Sequence, residues 1–192
     1  MKTAAMKTVV LSLSLFTAAL APLAVQAQQA VVPAQSEITF TSRQMGVPVE
    51  GRFKSFSAQV AFNPAQLATS KIAFSVDTGS ADISREANAE LVKPLWFNVA
   101  AFPKATFQST AIKRLEATKY EVSGQLSIKG LTSNVVVPVT LAQNGATTTA
   151  TGAFPIKRLA FRIGEKEWAD TSMVADEVQV KFKIALTGVP KL

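Results

Sequence analysis

The chain has no cysteine and no histidine, and only one tyrosine and two tryptophans among its 192 residues. Without cysteine there is no disulfide, no thiol nucleophile and no lipid-modified cysteine anchor, so the fold has to stand on its core alone. Without histidine the commonest general base and metal ligand are gone. The sequence also lacks a G-x-S-x-G elbow, an S-x-x-K pair, a phosphate loop and a dinucleotide fingerprint. Basic residues outnumber acidic ones, 20 to 13, for a net charge of +7, yet no four of them run together. Lysines scattered from Lys54 to Lys181 speak against a nucleic-acid partner. They point to ordinary solubility and, second, to transient contact with an anionic lipid surface.

No apolar run reaches the ~20 residues a membrane helix needs. The apolar stretch Val9–Leu20 is diluted by Ser12, Ser14 and Thr17, follows Lys2 and Lys7, and precedes Val25-Gln26-Ala27. That order is a cleavable signal peptide over 1–27, with the cut expected after Ala27 and an exported, periplasmic product. Residues 28–192 are expected to form one domain, and losing Lys2 and Lys7 leaves a net charge of +5.

What is present is two-residue periodicity. From Gln44 to Pro64, apolar residues fall on odd positions (Val47, Val49, Phe53) and then on even ones (Phe56, Ala58, Val60, Phe62). Each half reads as a strand with one buried face, and the change of phase at Lys54-Ser55 predicts a bulge or bend. Alternation returns in Glu37–Ser42, Lys71–Thr78, Ala105–Ile112, Lys119–Lys129, Asn134–Ala142, Ala146–Phe154 and Glu177–Leu186. Gly124 inside a strand predicts a bend or a close approach, and Pro138 an edge or bulge. The Ile156–Trp168 stretch is mixed, with Leu159, Phe161 and Ile163 alternating.

One helix is expected over Ser84–Lys93, capped by Asp82 or Ser84 and ended by Pro94, with Leu95-Trp96-Phe97 at its exit. It suits a plug at a barrel end or a plain packing element. About eight strands joined by short turns predict an all-β fold, an eight-stranded antiparallel lipocalin-like barrel with one short helix near its end. An apolar interior of that kind holds a greasy ligand.

The carboxylates Asp77, Asp82, Glu86, Glu90, Glu165, Glu167 and Asp170 include pairs that a glycoside-type hydrolase would need. Glu86 and Glu90, four apart, instead make one solvated helix face, and the expectation is a binding protein rather than an enzyme, with no catalytic cofactor or metal. A second alternative is an eight-stranded outer-membrane barrel. That needs girdles of Trp and Tyr, which one Tyr and two Trp do not supply.

Several ordered motifs carry a resemblance. They are G-R-F-K-S-F-S-A-Q-V-A-F-N-P (51–64), D-T-G-S (77–80), R-E-A-N-A-E-L (85–91), L-W-F-N-V-A-A-F-P-K-A-T-F-Q-S-T (95–110) and V-S-G-Q-L-S-I-K-G-L-T (122–132). Over about 30–188 the chain resembles the YceI-like family of exported, lipocalin-like proteins. The resemblance implies a tubular interior that binds a polyisoprenoid chain, such as an isoprenoid quinone or another prenyl lipid. Many members carry a histidine where Gln44 stands, and another in the helix written here Arg85–Leu91. Neither is present. On this reading Phe40, Phe53, Phe74, Trp96, Phe97, Phe107, Leu126 and Phe161 line the slot. Arg52, Arg85 or Arg162 would meet a polar head at the mouth.

Overall fold

A computed structural model describes residues 29–192. The expected signal peptide lies outside the described residues. In chain order the strands are β1 (Ala30–Val31), β2 (Glu37–Gln44), β3 (Val47–Phe53), β4 (Phe56–Ala61), β5 (Lys71–Asp77) and β6 (Ala81–Asp82). Helix α1 (Arg85–Leu91) follows, then β7 (Lys104–Arg114), β8 (Lys119–Ile128), β9 (Leu131–Asn144), β10 (Thr147–Lys157) and β11 (Glu177–Thr187).

All the strands belong to one antiparallel sheet of eleven members, where the alternation predicts eight. Two kinks and one short strand account for the difference. The chain breaks step at Lys54-Ser55, as the phase change predicts, dividing one bent strand into β3 and β4. A 3₁₀ turn at Thr78–Ser80 does the same between β5 and β6. The bent strands pair with each other on both sides of the kink, through Phe56–Val76 and Phe53–Ala81. Lys54 N donates to the Ser80 carbonyl (3.1 Å) and Asp77 N to the Ser55 carbonyl (3.0 Å), carrying the pairing across. Each bent pair therefore acts as one stave. With β11 paired to β2, and β2 to β3, the ring of eight staves closes. β1, too short to show alternation, adds to β11.

Closure sorts the side chains by parity. On β11, Val178, Val180, Phe182, Ile184 and Leu186 face the interior while Lys181 and Lys183 are exposed. On β7, Thr106, Gln108 and Thr110 are exposed and Phe107 faces in. A register shift between Ser109 and Ala111 then returns Ile112 to the interior. Pro138 sits at the last position of β9 before its pairing with β10 begins at Val139, so its missing N–H interrupts no ladder there.

One end of the barrel is packed shut. Tyr120, Phe62, Ile184, Leu186 and Val189 form a buried cluster, with the Phe62 and Tyr120 rings edge to face at 5.4 Å. The Tyr120 hydroxyl accepts from Arg114 Nη2 at 2.6 Å, which satisfies its one polar atom. The C-terminus is tied to the same end, where Gln143 Oε1 accepts from Leu192 N at 3.2 Å.

Candidate functional site

Between that floor and the opposite end runs a cavity of about 710 Å³. Its wall is supplied by inward faces of all eight staves and is almost wholly apolar. The floor residues Tyr120, Thr148 and Ile184 are at most 2% exposed. The exposed lining residues, Gln44, Ser84 and Glu86, all lie at the other end, which is the mouth.

Helix α1 lies over this mouth. Its N-cap Ser84 accepts from Ala87 N (3.2 Å), and Asn88 Oδ1 accepts from Ile83 N (2.8 Å). The helix is shorter than the expected Ser84–Lys93 because the chain passes into turns at Val92. Ile83, Ala87 and Leu91, four apart, face the cavity, so the plug reading describes its position. Asn88 Nδ2 donates to Asp82 Oδ1 (3.1 Å), fastening α1 to β6. Lys54 (3.3 Å) and Arg52 (3.4 Å) bind the same carboxylate.

Seven of the predicted slot residues line the cavity: Phe40, Phe53, Phe74, Trp96, Phe97, Phe107 and Leu126. Phe40 and Phe53 meet at 5.2 Å between ring centres and Phe53 meets Phe97 at 6.2 Å, a chain of rings below α1. Trp96 stacks obliquely on Trp168 at 5.5 Å, and its Nε1 is buried with no hydrogen-bond partner among the described residues.

Four expected residues lie elsewhere. Phe161 is on a 3₁₀ turn, Arg158–Phe161, not a strand, and is 2% exposed in a side cluster with Ile128 and Ile163. Its alternation with Leu159 and Ile163 reflects turn packing, so it does not line the cavity. Arg52 alternates with the inward Phe53 and therefore projects outward, paired with Asp82 and 65% exposed. Arg85 opens α1 on its solvent side, outside the lining. Arg162 is also exposed, in the left-handed region at φ 52°.

The arginine that matters structurally is Arg158, one position into that turn. It is 2% exposed and lines the cavity near its upper end. Its Nε donates to the Ala175 carbonyl (3.0 Å), Nη1 to those of Ile163 (2.8 Å) and Gly164 (2.9 Å), and Nη2 to those of Trp168 and Val174 (both 2.6 Å). All five donors are taken by carbonyls, so the guanidinium organises the 163–175 segment and leaves no donor for a ligand. Burial lowers its pKa, and the nearby Asp176 opposes that shift. An isolated arginine beside Lys157 gives no sequence signal for such a role. Phe182, Phe62 and Tyr120 also line the cavity without having been singled out, although their parity on strands or strand ends was readable.

Residues 30–186 match the YceI-like domain. The chain belongs to the YceI-like family. A crystal structure of Burkholderia cenocepacia BcnA is 48% identical, with a TM-score of 0.78 over 81% of this chain and 98% of that one. A polyisoprenoid binding domain from Saccharophagus degradans, implicated in plant cell wall breakdown, shares the fold at 13% identity and a TM-score of 0.68. That match covers 83% of this chain and 98% of the other. Protein YceI of Salmonella arizonae is 31% identical over 96 residues, 50% of each chain. The chain thus spans about half the length of the curated YceI relatives it matches. The YceI-like fold is the antiparallel, lipocalin-like barrel with one helix that the periodicity predicts.

Proposed function

We propose that this YceI-like barrel is an exported, periplasmic lipid-binding protein, not an enzyme, and holds one polyisoprenoid chain in its lumen. The observation that carries the reading is the cavity of about 710 Å³, closed at the Tyr120 floor and lined almost wholly by apolar side chains. That volume lies inside the ~300–1,000 Å³ of small-molecule sites. Burial is worth ~0.8 kcal/mol per CH₂-sized group, so each isoprene unit offers roughly 3–4 kcal/mol gross. The tail alone supplies affinity, and a quinone or other prenyl head sits toward the mouth. The name of the Saccharophagus domain, a polyisoprenoid binding domain, agrees with this ligand class.

The side-chain sorting favours this over the two alternatives. An outer-membrane barrel turns apolar side chains to lipid and polar ones inward; here Lys181, Lys183, Thr106 and Gln108 are outside and the phenylalanines inside. A carboxylate hydrolase needs an acid pair facing substrate. Glu86 and Glu90 turn toward the cavity mouth instead of sharing a wholly solvated helix face, but Glu90 is paired with Lys93, and Glu165 is engaged by Lys129 at 3.2 Å, so neither pair offers two free carboxyls.

The test is organic extraction of the purified protein followed by mass spectrometry. A prenyl lipid in stoichiometric amount is expected. Absence of any such lipid, together with no uptake of an added prenyl quinone, would overturn the proposal.

A further inference from the structure

We propose that Met45, Val47 and Met173 form an apolar lip at the lumen mouth that inserts into the surface of an anionic lipid bilayer. This rests on the reading of the lumen as a lipid site and names the surface from which the lipid is taken.

Single exposed apolar residues are ordinary, and only their grouping is informative. Six large hydrophobic residues are exposed among the described residues, and three of them fall on two adjoining segments here: Met45 at 66%, Val47 at 63% and Met173 at 42%. The grouping is held by backbone contacts between the β2–β3 turn and the loop before β11. Met45 N donates to the Met173 carbonyl (2.8 Å) and Ala175 N to the Arg43 carbonyl (2.9 Å). Gln44 and Val174 form a bridge between the same segments.

The turn itself is unusual in composition. Met45 and Gly46 both have positive φ, 48° and 81°. Two-residue hairpins of this kind favour Asn-Gly or Asp-Gly, because a longer side chain is disfavoured in the left-handed region. A methionine placed there, in water, satisfies neither local conformation nor hydration. It satisfies a bilayer.

Position and charge name the occupant. Gln44, Val49 and Val174, beside the lip on the same segments, line the lumen. An apolar path thus continues from the lip into the cavity. Arg43 is exposed on the same hairpin, its Nη1 donates to the Gly46 carbonyl (3.3 Å), and it makes no ion pair among the described residues. Asp170, in the facing loop, keeps its negative charge while accepting from Ser172 N (2.9 Å) and Oγ (2.7 Å), so the pull toward anionic lipid is that of the basic chain as a whole. The net charge of +5 expected once residues 1–27 are removed draws the protein toward anionic headgroups. Three apolar side chains on a basic protein give a weak, reversible contact, which suits a protein that must leave with its cargo.

The test compares wild type with the triple variant Met45→Asn, Val47→Thr, Met173→Ser, both carrying the same N-terminus. Flotation with vesicles of phosphatidylethanolamine and phosphatidylglycerol is measured, and so is transfer of a prenyl quinone out of them. Loss of flotation and slowing of transfer by at least about tenfold are expected, with unchanged equilibrium affinity for a short, water-dispersible prenol. Equal flotation and transfer by both proteins would overturn the lip. So would wild type that binds the prenol yet never floats, as a protein partner at this face would predict. Vesicle binding that depends on the lip in a protein taking no prenol supports the lip and counts instead against the lumen reading.

Discussion

The ring of Phe107 occupies the space that a side chain at Gly124 would need. A methyl group there would lie 2.5 Å from Phe107 Cε2 and 2.5 Å from the Gln108 carbonyl oxygen. The same relationship recurs twice around the wall. Phe40 covers Gly51, directly opposite it on β3, and Phe182 covers Gly152, opposite it on β10. Three large rings are thus laid over glycines instead of projecting across the barrel. That arrangement reconciles an aromatic-rich interior with an open lumen, since eight-stranded barrels are narrow enough for side chains to fill.

Gly124→Ala is expected to lower stability by about 1–3 kcal/mol, the usual range for overpacking. It also displaces Phe107 toward the lumen, so prenyl affinity falls with it. Adding Phe107→Leu should restore part of the affinity but not all of the stability, because the Gln108 carbonyl stays in the way. Urea unfolding and a binding titration on the same samples check both halves.

Arg158→Lys is expected to cost about 3 kcal/mol, since a single ammonium cannot replace five donors spread over a planar fork. The loss should be local before it is global. Amide exchange at Ile163, whose N donates to the Arg158 carbonyl, and at Val174 should quicken in the variant, while β8 amides keep their protection. Uniform quickening throughout the barrel would show that Arg158 does not act as the clasp of this segment.

The attachment of α1 is set by an acid with a depressed pKa. The hydrogen bond from Asn88, then that from Lys54, holds Asp82 below its ordinary value of 3.8. A carboxyl lowered in the folded state stabilises the fold at every pH above its unfolded value. That contribution is lost as pH falls through the folded value. The hold of Asp82 on α1 is therefore constant from neutrality down to about pH 4 and fades below it. Urea midpoints measured against pH should show wild type and Asp82→Asn separated by a constant gap at neutral pH and converging in acid. A gap that closes between neutrality and pH 5 would point to another group.

Much of this was legible in the residues, and the failures have particular physical causes. Alternation on β8 and β11 identified the inward faces, and the phase change at Lys54-Ser55 located the kink. Parity with Phe53, not charge, decides that Arg52 points outward to Asp82. Phe161 failed differently. Three alternating apolar residues are too few to separate a strand from a turn that packs Phe161 and Ile163 on Ile128. The burial of Arg158 depends on carbonyls brought together from residues 163–175, and no local pattern encodes that meeting.

The depth of the lumen, not its mouth, should set the longest tail accepted. Ala150 faces the cavity on β10, paired with Leu141 and Ile184, both buried near the floor. Ala150→Phe places a ring in that lower space while the Phe40–Phe53–Phe97 group and α1 above it are untouched. A long prenol then loses the burial of its terminal units, each worth roughly 3–4 kcal/mol gross, whereas a short prenol seated higher does not. Affinity for the long prenol should fall by at least about tenfold and that for the short one should stay within about twofold. Equal losses for both would mean that the tail enters from another direction or stops short of the floor, and competition binding on the two prenols distinguishes these outcomes from a general loss of fold.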